Sequence, residues 1–150
     1  MYIKKAEEFF GYTVDIRRKI HENPELSGLE DQTIGLVKSE LERMNIEHVE
    51  VKNGGVLGFI EGNKKSDNPK TIILRADLDA LPFDETEKNL KNDRLVKSKN
   101  IGAMHACGHD GHTAMVLTAA RILNENRDDF SGKVILCFER GEETGMNYKY

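Results

Sequence analysis

Two short apolar runs set the tightest limit on how this chain folds. Ile72-Ile73-Leu74 and Val134-Ile135-Leu136-Cys137-Phe138 are uninterrupted and too short for helices. A half-buried strand alternates polar with apolar residues, whereas a continuous run suits a strand buried on both faces. Each run gives way to acidic residues, to Asp77 and Asp79 after the first and to Glu142-Glu143 after the second. Between them, residues 110–124 carry a helical period that turns Met115, Ala119, Ile122 and Leu123 inward. Buried strands alternating with helices predict an α/β fold, with helices packed on a mostly parallel or mixed sheet. In such sheets, sites lie beyond the carboxyl ends of the strands.

The preceding residues fit the same plan. Phe9, Thr13, Ile16 and Ile20 recur at helical spacing and predict one helix over 4–21. Asn23-Pro24 ends it, because the residue before proline is pushed out of the α region. A second helix over 29–44 places Ile34, Val37, Leu41 and Met44 on one stripe. Residues 48–52 and 56–61 read as two strands joined by the turn Asn53-Gly54-Gly55. Residues 84–100 are highly charged and aperiodic, which predicts a long exposed loop of the kind that is often functional.

The chain has 150 residues, 38% of them apolar and 32% charged, with a net charge of −4. That length allows one domain with a real core. The acidic balance argues against nucleic acid or an anionic membrane as a partner. Two cysteines make no disulfide scaffold. There is no secretory h-region and no apolar run of the roughly 18–20 residues that span a membrane. The expectation is a soluble cytoplasmic protein.

The densest chemistry lies in His105-Ala106-Cys107-Gly108-His109-Asp110-Gly111-His112. Thiolate and imidazole are the usual ligands of zinc and similar metals. Residues two apart in an extended segment point the same way, so Cys107 and His109 can face one ion, with His105 in the same parity. Gly108 leaves room for close approach. Asp110 suits a helix N-cap as well as it suits ligation. His112 reads equally as a core residue or as a support for a ligand. Cys137 reads as a buried structural thiol. Near a metal, Glu142 and Glu143 divide naturally into a ligand and a general base. Asp77 and Asp79 read either as strand-end caps or as acceptors that orient a ligating imidazole. There is no phosphate loop, HExxH, paired CxxC or nucleophile elbow. A Cys107 nucleophile with a histidine partner is the rival reading.

These residues resemble the M20 family of metallopeptidases and amidohydrolases, in the branch of hippurate hydrolases, N-acyl-amino-acid amidohydrolases and auxin-conjugate hydrolases. The resemblance rests on Arg17-Arg18-Lys19-Ile20-His21-Glu22-Asn23-Pro24-Glu25-Leu26-Ser27 and on Leu74-Arg75-Ala76-Asp77-Leu78-Asp79-Ala80-Leu81-Pro82. The stretches 104–113 and 132–143 complete it. The resemblance implies Cys107, His109 and Glu143 as metal ligands of a dinuclear zinc or manganese site. It implies Glu142 as the general base and Asp77 as the carboxylate that supports a ligand. The implied reaction is hydrolysis of the amide bond of a small N-acyl amino acid.

The chain departs from that pattern in two places. The family's Phe-Gln-Pro-Ala-Glu-Glu is here Phe138-Glu139-Arg140-Gly141-Glu142-Glu143, and Gly141 predicts a looser hold on the base. Family members are also more than twice as long. Residues 1–150 therefore read as the N-terminal part of a zinc-peptidase-like catalytic domain. The rest of that domain and the smaller domain for dimerisation and substrate closure are expected to be absent from these residues. The expectation is a fragment with little activity of its own; the alternative is a non-catalytic metal-binding or interaction remnant.

Overall fold

The computed structural model describes residues 2–145; Met1 and residues 146–150 lie outside it. Four helices and six strands are described: α1 (Tyr2–Glu8), α2 (Phe10–Glu22), α3 (Asp31–Arg43), β1 (Glu47–Val51), β2 (Gly55–Glu61), β3 (Thr71–Asp77), β4 (Lys88–Asn89), β5 (Asn92–Asp93), α4 (His109–Glu125) and β6 (Lys133–Glu139). The main sheet runs β1-β2-β6-β3. β1 and β2 form the expected antiparallel hairpin, β2 pairs antiparallel with β6, and β6 pairs parallel with β3. The fold class is α/β with a mixed sheet, as expected. None of the described helices is long and apolar enough to cross a membrane.

One face of the sheet meets the helices. Val56, Ile60, Ala76, Val134, Leu136 and Phe138 form a core with Ile16 and Ile20 of α2, Val37 and Leu41 of α3, and Leu117 of α4. The other face leaves Val49, Phe59 and Ile73 exposed.

Several expectations need correction. β3 is not buried on both faces: Ile72 is 52% exposed and Ile73 64%. Among the described residues only β6 pairs with it, so its apolar run lies at an edge. The first helix is two, because Phe9 (φ −91°, ψ 6°) leaves the helical region between α1 and α2. Met115 is 57% exposed. Ile122 is buried as expected, and Leu123 packs against the core, but beyond His109 and Asp110 the rest of the buried face of α4 is Thr113, Ala114, Leu117, Thr118 and Ala120. Small residues allow it close to α2, where Thr13 and Thr118 share a 2.7 Å hydroxyl contact. Cys137 is half-buried rather than buried.

The charged stretch 84–100 is exposed over most of its length but tethered. Glu85 is buried. It accepts hydrogen bonds from the Ser98 amide (2.6 Å) and His21 Nε2 (2.9 Å), and pairs with Arg94 (3.0 Å). Beyond Glu85 the chain turns back through the small β4-β5 hairpin.

Candidate metal centre

β3 and β6 run parallel and end level, with Asp77 opposite Glu139. The acidic residues beyond both strands therefore leave the sheet at the same end. α4 starts at that end with His109. Gly108 precedes it in the left-handed region (φ 85°). No atom lies within 4 Å of where a Cβ on Gly108 would sit. Glycine is required here for its backbone conformation rather than for room. The turn it makes, not an extended strand, brings Cys107 beside His109.

His109 is buried, and Asp79 orients it. Its Nδ1 lies 2.9 Å from the Asp79 backbone oxygen and 3.2 Å from Asp79 Oδ1. Both partners only accept, so Nδ1 carries a hydrogen and Nε2 is the ring nitrogen left to meet an ion. Around Nε2 stand Glu143 at 3.8 Å and Asp77 and Glu142 at 3.9 Å. Asp79 Oδ2 accepts from Ser27 Oγ (2.6 Å) and from the Glu143 amide (2.9 Å). Burial works to raise the Asp79 pKa, but the hydrogen bonds from His109, Ser27 and Glu143 outweigh it and bring it down to about 2.

Cys107, His109 and Glu143, brought together by the sequence reading, do converge: one donor atom from each lies within 4.8 Å of the others. The same holds for Asp79, His109 and Glu142, and for Asp77, His109 and His112. Two donors bound to one ion at about 2.0–2.2 Å can stand no more than about 4.4 Å apart. The 3.8–3.9 Å spacings about His109 Nε2 fall inside that limit. Asp77 Oδ1 is buried without an aligned hydrogen bond. Arg75 stands 2.8 Å away as an ion-pair partner. A soft thiolate, an oriented imidazole and several carboxylates make a donor set that suits a divalent transition metal.

Other residues of the motif do different work. His105 is buried, and neither ring nitrogen has a hydrogen-bond partner. It joins none of the donor groups above. Burial pushes its pKa down to about 4. Asp110 is not the N-cap of α4, which is Gly108, and joins no donor group; its Oδ1 accepts the Gly111 amide (2.9 Å), and its Oδ2 lies 2.7 Å from both His21 Nδ1 and Arg17 Nε. Cys107 is exposed, and its thiol pKa is raised, first by desolvation and then by Glu143, Glu142 and Asp77.

The sequence reading set Asp77 and Asp79 side by side. The structure gives the ring contact to Asp79, with Asp77 on the far side of the imidazole near His112 (3.7 Å). Ser27, Glu30 and Arg140 also hold the site and were not singled out. They reach it across the fold: Ser27 closes the stretch 17–27 and Arg140 lies in the departure at 138–143, but no local spacing ties either of them, or Glu30, to His109.

Residues 73–149 match Peptidase family M20/M25/M40, just over half of the chain. The chain belongs to this family. It is 43% identical to the IAA-amino acid hydrolase ILR1-like 5 of Arabidopsis thaliana over 98% of its own length and 32% of that protein. It is 48% identical to thermostable carboxypeptidase 2 of Saccharolobus solfataricus over 93% of its length and 34% of that protein. Among solved structures it matches the Bacillus subtilis YXEP protein, a dinuclear metal-binding peptidase of the M20 family. That match has a TM-score of 0.81 and 37% identity, over 93% of this chain and 38% of that one. The chain thus spans about a third of the length of these M20 relatives.

Proposed function

We propose that residues 1–150 are the N-terminal part of the catalytic domain of a metal-dependent amidohydrolase that cleaves the amide bond of small N-acyl amino acids in the cytoplasm. The observation that carries this reading is the oriented His109 Nε2, ringed by Cys107, Glu142 and Glu143 beyond two parallel strands. In this reading Cys107, His109 and Glu143 hold a divalent cation, zinc or manganese. When bound, the cation polarises the scissile carbonyl and acidifies water. Glu142 takes a proton from the attacking water and returns it to the leaving amine nitrogen, so one water yields a carboxylic acid and a free amino acid. Asp79 keeps the His109 ring in the ligating tautomer. Asp77 adds negative charge on the same side, compensated by Arg75.

The described donors gather about a single imidazole, and the M20 relatives are about three times as long. Both facts support further ligands, a smaller dimerisation domain and most substrate contacts lying outside these 150 residues. The expected result with zinc or manganese is metal binding but little turnover of N-benzoyl or N-acetyl amino acids. Robust turnover by the 150-residue chain overturns the expected inactivity. In a chain extended to the length of the relatives, Glu142→Gln is expected to keep its metal and lose hydrolysis. Retained hydrolysis refutes the base assignment.

A further inference from the structure

The turn that carries Glu142 and Glu143 is held from outside the site. β6 ends at Glu139, and the next four residues must bring two carboxylates to face His109. Glu30, at the start of α3 and fully buried, binds two successive residues of that turn. Its Oε1 accepts the Gly141 amide at 2.7 Å and its Oε2 accepts Arg140 Nε at 2.9 Å. Arg140 also donates to the Gly28 carbonyl (2.6 Å) and to Asp31 (2.8 Å). Gly141 adopts φ 71° and ψ 34°, which redirects the chain. Beyond it, Asp79 takes the Glu143 amide.

We propose that Glu30 and Arg140 form a latch that positions Glu143 and Glu142 against His109, so that both are positioning residues of the metal centre. This rests on the metal-binding role given above to Glu143. A buried ion pair is weak evidence for stability, because apolar residues of the same volume serve as well. What it does supply is direction: one carboxylate fixes the heading of two consecutive residues. That hold replaces covalent stiffness. Where the resembled pattern has Pro-Ala, with a preset φ, this chain has the freer Arg140-Gly141. The expected loosening at Gly141 is thus countered by Glu30.

Titration with Co²⁺ tests the latch, with the thiolate charge-transfer band reporting Cys107 and the d–d bands reporting coordination. Arg140→Met and Glu30→Gln are expected to weaken Co²⁺ binding about 10-fold each, the low end for residues that support ligands. Arg140→Lys is expected to recover part of the loss. Val37→Ala, in the α3 core, is expected to lower stability without moving the Co²⁺ Kd. In a Glu143→Gln background, Arg140→Met is expected to have no further effect, because the latch acts through Glu143. Unchanged affinity in Arg140→Met and Glu30→Gln, or full additivity with Glu143→Gln, overturns the latch alone. A wild-type chain that binds no Co²⁺ overturns the metal reading and the latch with it.

Discussion

His21 carries the most exposed prediction in this fold, because it sits buried between two carboxylates. Its Nδ1 lies 2.7 Å from Asp110 and its Nε2 2.9 Å from Glu85. Arg17 Nη2 also stands 3.0 Å from Nδ1, but Arg17 directs its Nε to the same Asp110 oxygen. A ring lone pair aimed at a buried carboxylate at 2.7 Å would be repulsive, so Nδ1 donates. Both nitrogens donating makes His21 an imidazolium. Its pKa is raised, chiefly by the Asp110 hydrogen bond, against the lowering effect of burial. Asp110 and Glu85 are lowered: burial opposes this, and His21 with the Ser98 amide, Arg17 and Arg94 overcomes it. His105, the remaining ring nearby, is neutral at pH 7. His21→Leu leaves two buried anions short of a partner. Losing one member of a buried pair costs about 3–5 kcal/mol. Arg17 still covers Asp110 and Arg94 still covers Glu85, which points to the lower end, about 3 kcal/mol. For a chain of this size that is a Tm loss of about 6–12 °C. The sign with pH follows from the raised pKa. The His21 contribution is complete below the unfolded value of about 6.5 and is lost as pH rises through the folded value. Thermal unfolding followed by circular dichroism from pH 6 to 9 is expected to show wild-type stability declining more steeply than that of the variant. The variant keeps only the contribution of His109, whose pKa burial lowers but Asp79 and Asp77 raise on balance. A loss under about 1 kcal/mol, or parallel slopes for the two proteins, refutes the imidazolium and the burial argument together.

Asp79→Asn leaves the backbone oxygen as an acceptor for His109 Nδ1 but removes the carboxylate charge and puts an amide where one oxygen accepted from Ser27 or Glu143. It is expected to weaken zinc binding about 10-fold by calorimetric titration; an unchanged Kd would show that the backbone oxygen alone holds the ring. Gly108→Ala meets no neighbour, so its cost is the left-handed backbone alone, about 1–2 kcal/mol, seen as a lower Tm. An unchanged Tm would mean that the αL turn before α4 carries no strain. The open β3 edge beside exposed Ile72 and Ile73 is expected to drive concentration-dependent association. Ile73→Lys should shift sedimentation toward monomer, and identical profiles for the two chains would remove that edge as the cause.

What the sequence revealed depended on distance along the chain. Cys107 and His109 are two residues apart, so the convergence of their donor atoms is legible, as is the β1-β2 hairpin from Asn53-Gly54-Gly55. The Glu30–Arg140 contact joins residues 110 apart, and His21–Asp110 joins residues 89 apart. No period or spacing marks either. Met115 was misplaced because hydrophobicity ranks it above threonine and alanine, whereas α4 packs closely through Thr113, Ala114 and Thr118. The Ile72-Ile73-Leu74 run signals burial correctly only when a neighbour stands on each side of the strand. Among the described residues β3 has one neighbour.

Asp79 has a mechanical consequence of its own. One carboxylate receives His109 through one oxygen and the Glu143 amide through the other. These two groups come from a helix and from a strand exit, two elements that nothing local in the chain sets at a fixed separation. Referring both to one fixed point, as two instruments are bolted to one plate, makes the gap between them insensitive to shifts of either element. An ion bridging them would then meet a rigid bite even while the surrounding chain moves.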